Sequence, residues 1–388
     1  MDKRIVDHII KRAIETHPEL SDILFTPYHP IEILLHGKLH RLNIAGFKKL
    51  TPFQIETLAL VLIGNRRRLL RDLVRTGSCD LSYQVGHTRL RINIYSQRTG
   101  YAMVMRRLPE KVPTIEEMEL PIVFKQIAQE HAGIVLFCGP TGSGKSTSIA
   151  AILEEINRTR PVHVITLEDP IEFTFTPNQA TFNQRELGTD FNDFATALRA
   201  ALREAPHVVM VGEIRDPETV RVALNAAETG HLVFSTVHAS YTGQAIHRLI
   251  DMVSKEEERF IRTRLAGALR WIVCQKLLAK QDGGRFAIFE ILKNTLRVQD
   301  AIMGQITIEN FYDIIIKGAP FGMRTFDQDL IRAYEKGWID EETALAYATF
   351  RSVVRKGIDE IRARRGEKTS DLGKLEIEGI SREKFKFL

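Results

Sequence analysis

Residues 139–146 read GPTGSGKS, and this spacing, GxxxxGK[ST], restricts the fold more than any other feature of the chain. Glycines at this spacing let successive backbone N–H groups turn inward around phosphate oxygens. Lys145 reaches the outer phosphates, and the Ser146 hydroxyl is a ligand for Mg²⁺. The loop needs a strand before it and a helix after it, because the helix N-terminus adds its dipole to the anion site. Both are legible. Gly133–Cys138 is apolar throughout, and Lys145–Arg158 has helical periodicity. A nucleotide-phosphate site is therefore expected at Gly139, Pro140, Thr141, Gly142, Ser143, Gly144, Lys145, Ser146 and Thr147.

Around this loop the pattern is repetitive. Strands are expected at 163–167, 208–211 and 232–236, with helices at 191–204, 217–229 and 243–252 between and after them. All-apolar strands alternating with helices predict a parallel sheet covered on both faces. Upstream, a helix over 2–16 precedes short strands within 22–42, with a turn at 36–38. Thr51 caps a helix that begins at Pro52 and runs to Ile63. Strands follow at 78–85, 88–96 and 101–107. Residues 1–108 thus read as an α+β domain without a phosphate loop, and 109–120, with two prolines and several acids, as a linker. Residues 121–290 read as the phosphate-loop core. Past Arg285 the chain reads as mostly helical, so 291–365 form a helical region in which 323–334 and 340–350 pair. From about 351 the chain is charge-rich, with 362–371 expected to be mobile and 366–388 read as a charged, mobile tail.

Two acidic segments sit where such a sheet would place ligands. Val208–Val211 is an apolar strand followed by Gly212 and Glu213, and a carboxylate at a strand tip can hold the Mg²⁺ shell or orient water. Glu168, Asp169 and Glu172 lie at the end of another apolar strand. Three neighbouring carboxylates repel unless a metal or a water network uses them; a solvated acidic turn is the alternative. His231 and His238 bracket the strand LVFSTV, and either could meet a γ-phosphate.

Composition narrows the partners. The 54 Lys and Arg against 49 Asp and Glu leave a net charge of +5, too mild over 388 residues to imply nucleic acid. Arg66–Arg68 and Arg362–Arg365 read as solvated surface, with an anionic lipid or acidic partner as the alternative. Cys79, Cys138 and Cys274 are scattered and odd in number, which suggests neither a disulfide framework nor a zinc site and fits a reducing cytoplasm. No apolar run nears the roughly 18–20 residues of a membrane span, so membrane contact is expected to be peripheral.

Four ordered segments, GPTGSGKST, ITLEDPIEF, VVMVGEIRDPETV and AAETGHLVFSTVHA, together resemble the ATPases of type II secretion and type IV pili. ALRAALRE (197–204), AAETGHLVF (226–234) and GMRTFDQDL (322–330) resemble most the retraction, or twitching-motility, group of PilT/PilU type. The resemblance implies an α/β chain, with a PAS-like α+β domain followed by a RecA-like P-loop domain and a helical C-terminal region. It implies a homohexamer with ATP and Mg²⁺ bound between domains. Lys145 and Ser146 carry over as phosphate and Mg²⁺ ligands. Glu213 carries over as the second P-loop acid, reaching Mg²⁺ partly through water. Glu172 becomes the water-activating residue, with Glu168 beside it; His231 and His238 form a histidine pair, and Arg89, Arg91 and Arg106 lie against the nucleotide. An inner-membrane platform protein, and a second pilus ATPase, are the implied partners at the cytoplasmic face of the membrane, and pilin removal the implied work. One segment departs: RVQDAIMGQ (297–305) stands where the retraction group has an AIRNLIRE-like stretch. Two other readings stay open, a nucleotide-binding accessory subunit and a nucleic-acid translocase, the latter without an aromatic-basic stripe to stack bases.

Overall fold

Alternation along single strands decides how both halves of the molecule are built. The computed structural model describes residues 3–304, 311–367 and 369. The first half contains α1 (Lys3–Thr16), β1 (Asp22–Phe25), β2 (Ile31–Leu35), β3 (Lys38–Leu42), α2 (Pro52–Ile63), α3 (Arg67–Thr76), β4 (Ser78–Val85), β5 (Thr88–Gln97) and β6 (Gly100–Arg107). Its six strands form an antiparallel sheet in the order β3-β2-β1-β6-β5-β4. On β5, Leu90, Ile92 and Ile94 are buried while Arg89, Arg91 and Asn93 are only half-covered. Successive side chains point to opposite faces. The apolar face therefore meets Val6, Ile9 and Ile10 of α1 and Ile55 and Leu58 of α2 in one core, and the polar face is left to meet the rest of the chain. Thr51 caps α2 in a reciprocal capping box with Gln54.

The second half runs α4 (Val123–Ala128), β7 (Gly133–Cys138), α5 (Lys145–Thr159), β8 (His163–Glu168), β9 (Thr181–Glu186), α6 (Phe194–Ala201), β10 (Val208–Val211), α7 (Pro217–Glu228) and β11 (Leu232–Val237). Then come α8 (Thr242–Asp251), α9 (Lys255–Ala268), β12 (Leu269–Ala279), β13 (Arg285–Lys293), α10 (Leu296–Ile302), α11 (Phe311–Lys317), α12 (Phe326–Glu335), α13 (Glu341–Tyr347) and α14 (Arg351–Arg365). The sheet order is β13-β12-β7-β11-β10-β8-β9. On β7, Ile134, Leu136 and Cys138 pack into one layer and Val135 and Phe137 into the other, so both faces are covered. Among the described residues no helix is long and apolar enough to cross a membrane.

Three expectations need correction. The sheet is mixed rather than parallel, because β12 and β13 are joined by a short turn through Gly283 and Gly284 and must pair antiparallel. Residues 285–293 are therefore a strand, and the helical region begins only at Leu296. Residues 362–365, expected to be mobile, are the last turn of the helix Arg351–Arg365, because Val354, Ile358 and Ile361 share one buried face beneath the charges. The tail read over 366–388 lies almost wholly outside the described residues, as does Gln305 of the departing segment.

Candidate functional site

Four parallel strands deliver their C-terminal ends to one edge of the second sheet. Cys138 is level with Val237, Val211 with Ser235, and Val211 also with Leu167. The residues that follow, Gly139, His238, Glu213 and Glu168, are thereby brought side by side, as the ligand edge of an open α/β sheet requires.

Gly139 turns the chain away from β7 with φ 143°, and a Cβ there would lie 2.3 Å from the Gln275 carbonyl oxygen. Only glycine fits both the backbone and the space. Beyond Gly144, also left-handed at φ 86°, α5 begins at Lys145. The Lys145 ammonium donates to the carbonyls of Gly139 and Pro140 at 2.9 and 3.0 Å, folded along the loop, and burial holds its pKa below the usual lysine value. Beneath the loop, fully buried Gln275 of β12 accepts the Ser148 hydroxyl at 2.8 Å. Neither the Gln275 Nε2 nor the buried Ser143 Oγ has a protein partner. A cleft of about 610 Å³ opens over Gly139–Ser143 and reaches His238, Gln244, Arg248 and Tyr347, room for a nucleoside beside the phosphate loop.

A second cleft, about 90 Å³, joins Ser146 to Glu168, Asp169, Glu172 and Glu213. Glu168 is 8% exposed. One of its oxygens accepts Thr166 Oγ1 at 2.6 Å and Gln184 Nε2 at 3.2 Å, and the other accepts the Glu172 N–H at 3.3 Å. Burial pushes its carboxyl up to about 7 despite these bonds. Burial also raises Asp169, against which the Arg91 guanidinium acts. Glu213 pairs with Arg215 on one oxygen and with His238 Nε2 at 3.3 Å on the other.

The remaining expected residues take other partners. His231 sits at the opposite end of β11, its ring toward the Ala226 carbonyl at 3.0 Å and Thr229 Oγ1 at 3.2 Å. A six-residue strand separates residues at its two ends by roughly 20 Å, so the pair cannot share one site within one chain. Arg106 binds Asp22 at 2.8 Å, and Arg91 lies 3.6 Å from Asp80. Arg89 donates to Thr174 Oγ1 at 3.0 Å and lies 3.8 Å from Glu186.

Sequence reading passed over two positioning residues on β9. Gln184 holds the acidic loop after β8 by its Phe173 carbonyl (2.7 Å) and Phe175 N–H (3.0 Å). Glu186, 5% exposed, accepts the Ile171 N–H at 3.2 Å. The signal was the polar alternation of TFNQRE, which places Gln184 and Glu186 on one face.

Residues 3–320 match the family described as type II/IV secretion system protein. The type IV pilus retraction ATPase PilT of Pseudomonas aeruginosa is 38% identical over 325 residues, 84% of this chain and 93% of that protein. A twitching motility protein of Neisseria gonorrhoeae is 37% identical over 314 residues, 80% of this chain and 82% of that protein. The crystal structure of the pilus retraction motor PilT with bound ADP superimposes with a TM-score of 0.81 at 37% identity, covering 90% of this chain and 99% of that one.

Proposed function

The chain belongs to the type II/IV secretion system protein family, and on that premise we propose that it is an ATP-hydrolysing motor that powers type IV pilus retraction. One observation carries the reading: Ser146 at the foot of the phosphate loop shares a cleft with Glu168, Asp169, Glu172 and Glu213.

The loop N–H groups and Lys145 would bind the β- and γ-phosphates, Lys145 exchanging its two carbonyl partners for phosphate oxygens. Its lowered pKa reflects a buried ammonium that an anion would relieve. The donor set fits Mg²⁺. All its members are oxygens, and among the described residues no three His, Cys, Asp or Glu side chains converge to hold a metal unaided. Mg²⁺ takes few protein ligands and keeps waters and substrate phosphates. Ser146 would bind it directly and Glu213 through water, and when bound it neutralises charge on the transferring phosphoryl group. Glu172 orients the attacking water. Glu168, near pH 7 in its titration, is a proton acceptor matched to neutral solution. His238, its Nε2 3.3 Å from Glu213, is the histidine positioned to respond to the γ-phosphate. Of Arg89, Arg91 and Arg106, Arg91, whose charge is felt at Asp169, is the best disposed toward the same cleft.

The proposal extends to a homohexamer at the cytoplasmic face of the inner membrane, where domain movements displace a pilus platform protein. The test joins turnover to assembly. Wild type and Glu172→Gln are compared for steady-state ATPase activity and mass in solution. A hexamer that hydrolyses ATP, with a variant that binds ATP but turns it over about 10²-fold slower or worse, is expected. Deleting the gene from its host should leave surface pili in place and stop twitching. A host that retracts pili normally without the gene would refute the retraction assignment.

A further inference from the structure

The acidic loop between β8 and β9 carries Glu172, and two elements hold it. One is its own sheet. Glu168 Oε2 accepts the Glu172 N–H, and Gln184 brackets Phe173 and Phe175. The other is the polar face of the N-terminal sheet. Glu186 accepts the Ile171 N–H on Oε2 and, on Oε1, the Ser82 hydroxyl of β4 at 2.7 Å. Arg89 of β5 reaches past Glu186 to Thr174. The N-terminal sheet thus grips the loop on either side of Glu172, through Ile171 and through Thr174. One buried carboxylate joins a hydroxyl of the first domain to the amide immediately before Glu172.

We propose that Glu186 is a positioning residue that couples the placement of the N-terminal domain to the aim of Glu172, so that water attack is competent only while Ser82 and Arg89 are docked on the loop. The inference rests on the reading of Glu172 as the residue that orients water. The Ile171 N–H fixes the backbone one residue before Glu172, and a carboxylate holds that amide in place only while its own orientation is fixed. Among the described residues of the catalytic half, the Ile171 amide alone donates a hydrogen bond to the Glu186 side chain. Its second anchor is Ser82, on the other domain. If the sheet moves away, the carboxylate is free to rotate and the loop loses one of its fixed points. A misplacement of about 1 Å in a reacting group costs on the order of 10²-fold in rate, so a modest shift of the first domain is enough to gate hydrolysis.

The test uses the full chain. Steady-state kcat and the affinity for a fluorescent ATP analogue are measured for Ser82→Ala, Glu186→Ala and Glu186→Gln, and for Ser82→Ala placed in Glu172→Gln. Expected are kcat losses of about ten- to hundredfold for Glu186→Ala, smaller for Ser82→Ala, with analogue affinity within about twofold of wild type. Glu186→Gln should recover part of the loss, because its amide oxygen can still face Ile171 while its NH₂ donates to Ser82. In the Glu172→Gln background, Ser82→Ala should cost nothing further, since both act through one residue. An unchanged kcat in Ser82→Ala and Glu186→Ala, or an equal loss from Ser82→Ala in both backgrounds, overturns the coupling. So does a fall of kcat and affinity together. Failure of the underlying reading looks different: Glu172→Gln alone would then turn over ATP at the wild-type rate.

Discussion

Replacing Glu168 by glutamine removes a carboxyl that the fold holds at about 7, and the consequence for stability has a definite sign. The unfolded chain releases this proton near the ordinary value of 4.5, while the folded chain keeps it until about 7. Between those pH values the folded state binds the extra proton, so this group's contribution to stability falls as pH rises, and it is level above about 7. At about 1.4 kcal/mol per pH unit, the rise from 4.5 to about 7 amounts to roughly 3 kcal/mol. Glutamine has no such proton to release. Its amide oxygen can accept from Thr166 and Gln184 as Glu168 does. Its NH₂ faces the Glu172 N–H, which adds a cost that does not change with pH. The measurable quantity is therefore the difference between variant and wild type as a function of pH. It should move by roughly 3 kcal/mol in favour of the variant between pH 4.5 and pH 8. Urea unfolding of nucleotide-free protein, followed both by tryptophan fluorescence and by circular dichroism, supplies it. Coincidence of the two curves checks that the transition is all-or-none. A difference that stays constant across that range would refute the assignment of a buried, raised carboxyl to Glu168.

Three shorter predictions concern single residues. Lys145→Ala should abolish ATP turnover in a coupled phosphate-release assay, and a variant with normal turnover would displace the phosphate site from this loop. Gly139→Ala should lose binding of an ATP analogue, because its Cβ would fall 2.3 Å from the Gln275 carbonyl oxygen; analogue titration at wild-type affinity would contradict that. Asp327, fully buried, accepts the Tyr312 hydroxyl and the Thr349 and Phe350 N–H groups at 2.7, 2.7 and 3.0 Å. Asp327→Ala should cost about 3 kcal/mol in urea unfolding, whereas a loss below about 0.5 kcal/mol would show those donors to be satisfied otherwise.

What could be read from the sequence follows from how local the determining interactions are. β7, the loop and the start of α5 were legible to the residue, because an all-apolar strand, a glycine pattern and a helix start occupy consecutive positions. The same holds for β10 and for Thr51 with Pro52. β9 was missed because TFNQRE has a single apolar residue, Phe182, and its strand character comes from pairing with β8. α14 falls within the expected helical region, but its last turn was read as mobile because its arginines mask the buried face that Val354, Ile358 and Ile361 set against α12 and α13. The hairpin of β12 and β13 carried no motif. At the site, Ser146, Glu168, Glu172 and Glu213 converge as their strand-end positions predict, while His231 does not join His238, because flanking a strand in sequence means lying at its opposite ends. Gln275 could not be singled out, and the alternation that marks Glu186 does not reveal its role, since each matters through a partner more than 100 residues away.

β9 has a neighbour on one side only, as the last strand of its sheet, and it carries both Gln184 and Glu186. An edge strand is bound by half the ladder that holds an interior one, so it exchanges its amide protons and frays before the strands it covers. The acidic loop consequently depends on one of the two edge strands of the second sheet. On warming, the chain would lose the alignment of Glu172 while the phosphate loop, on interior strand β7, still held nucleotide. Heat inactivation would then precede the loss of nucleotide affinity, and both would precede unfolding of the sheet.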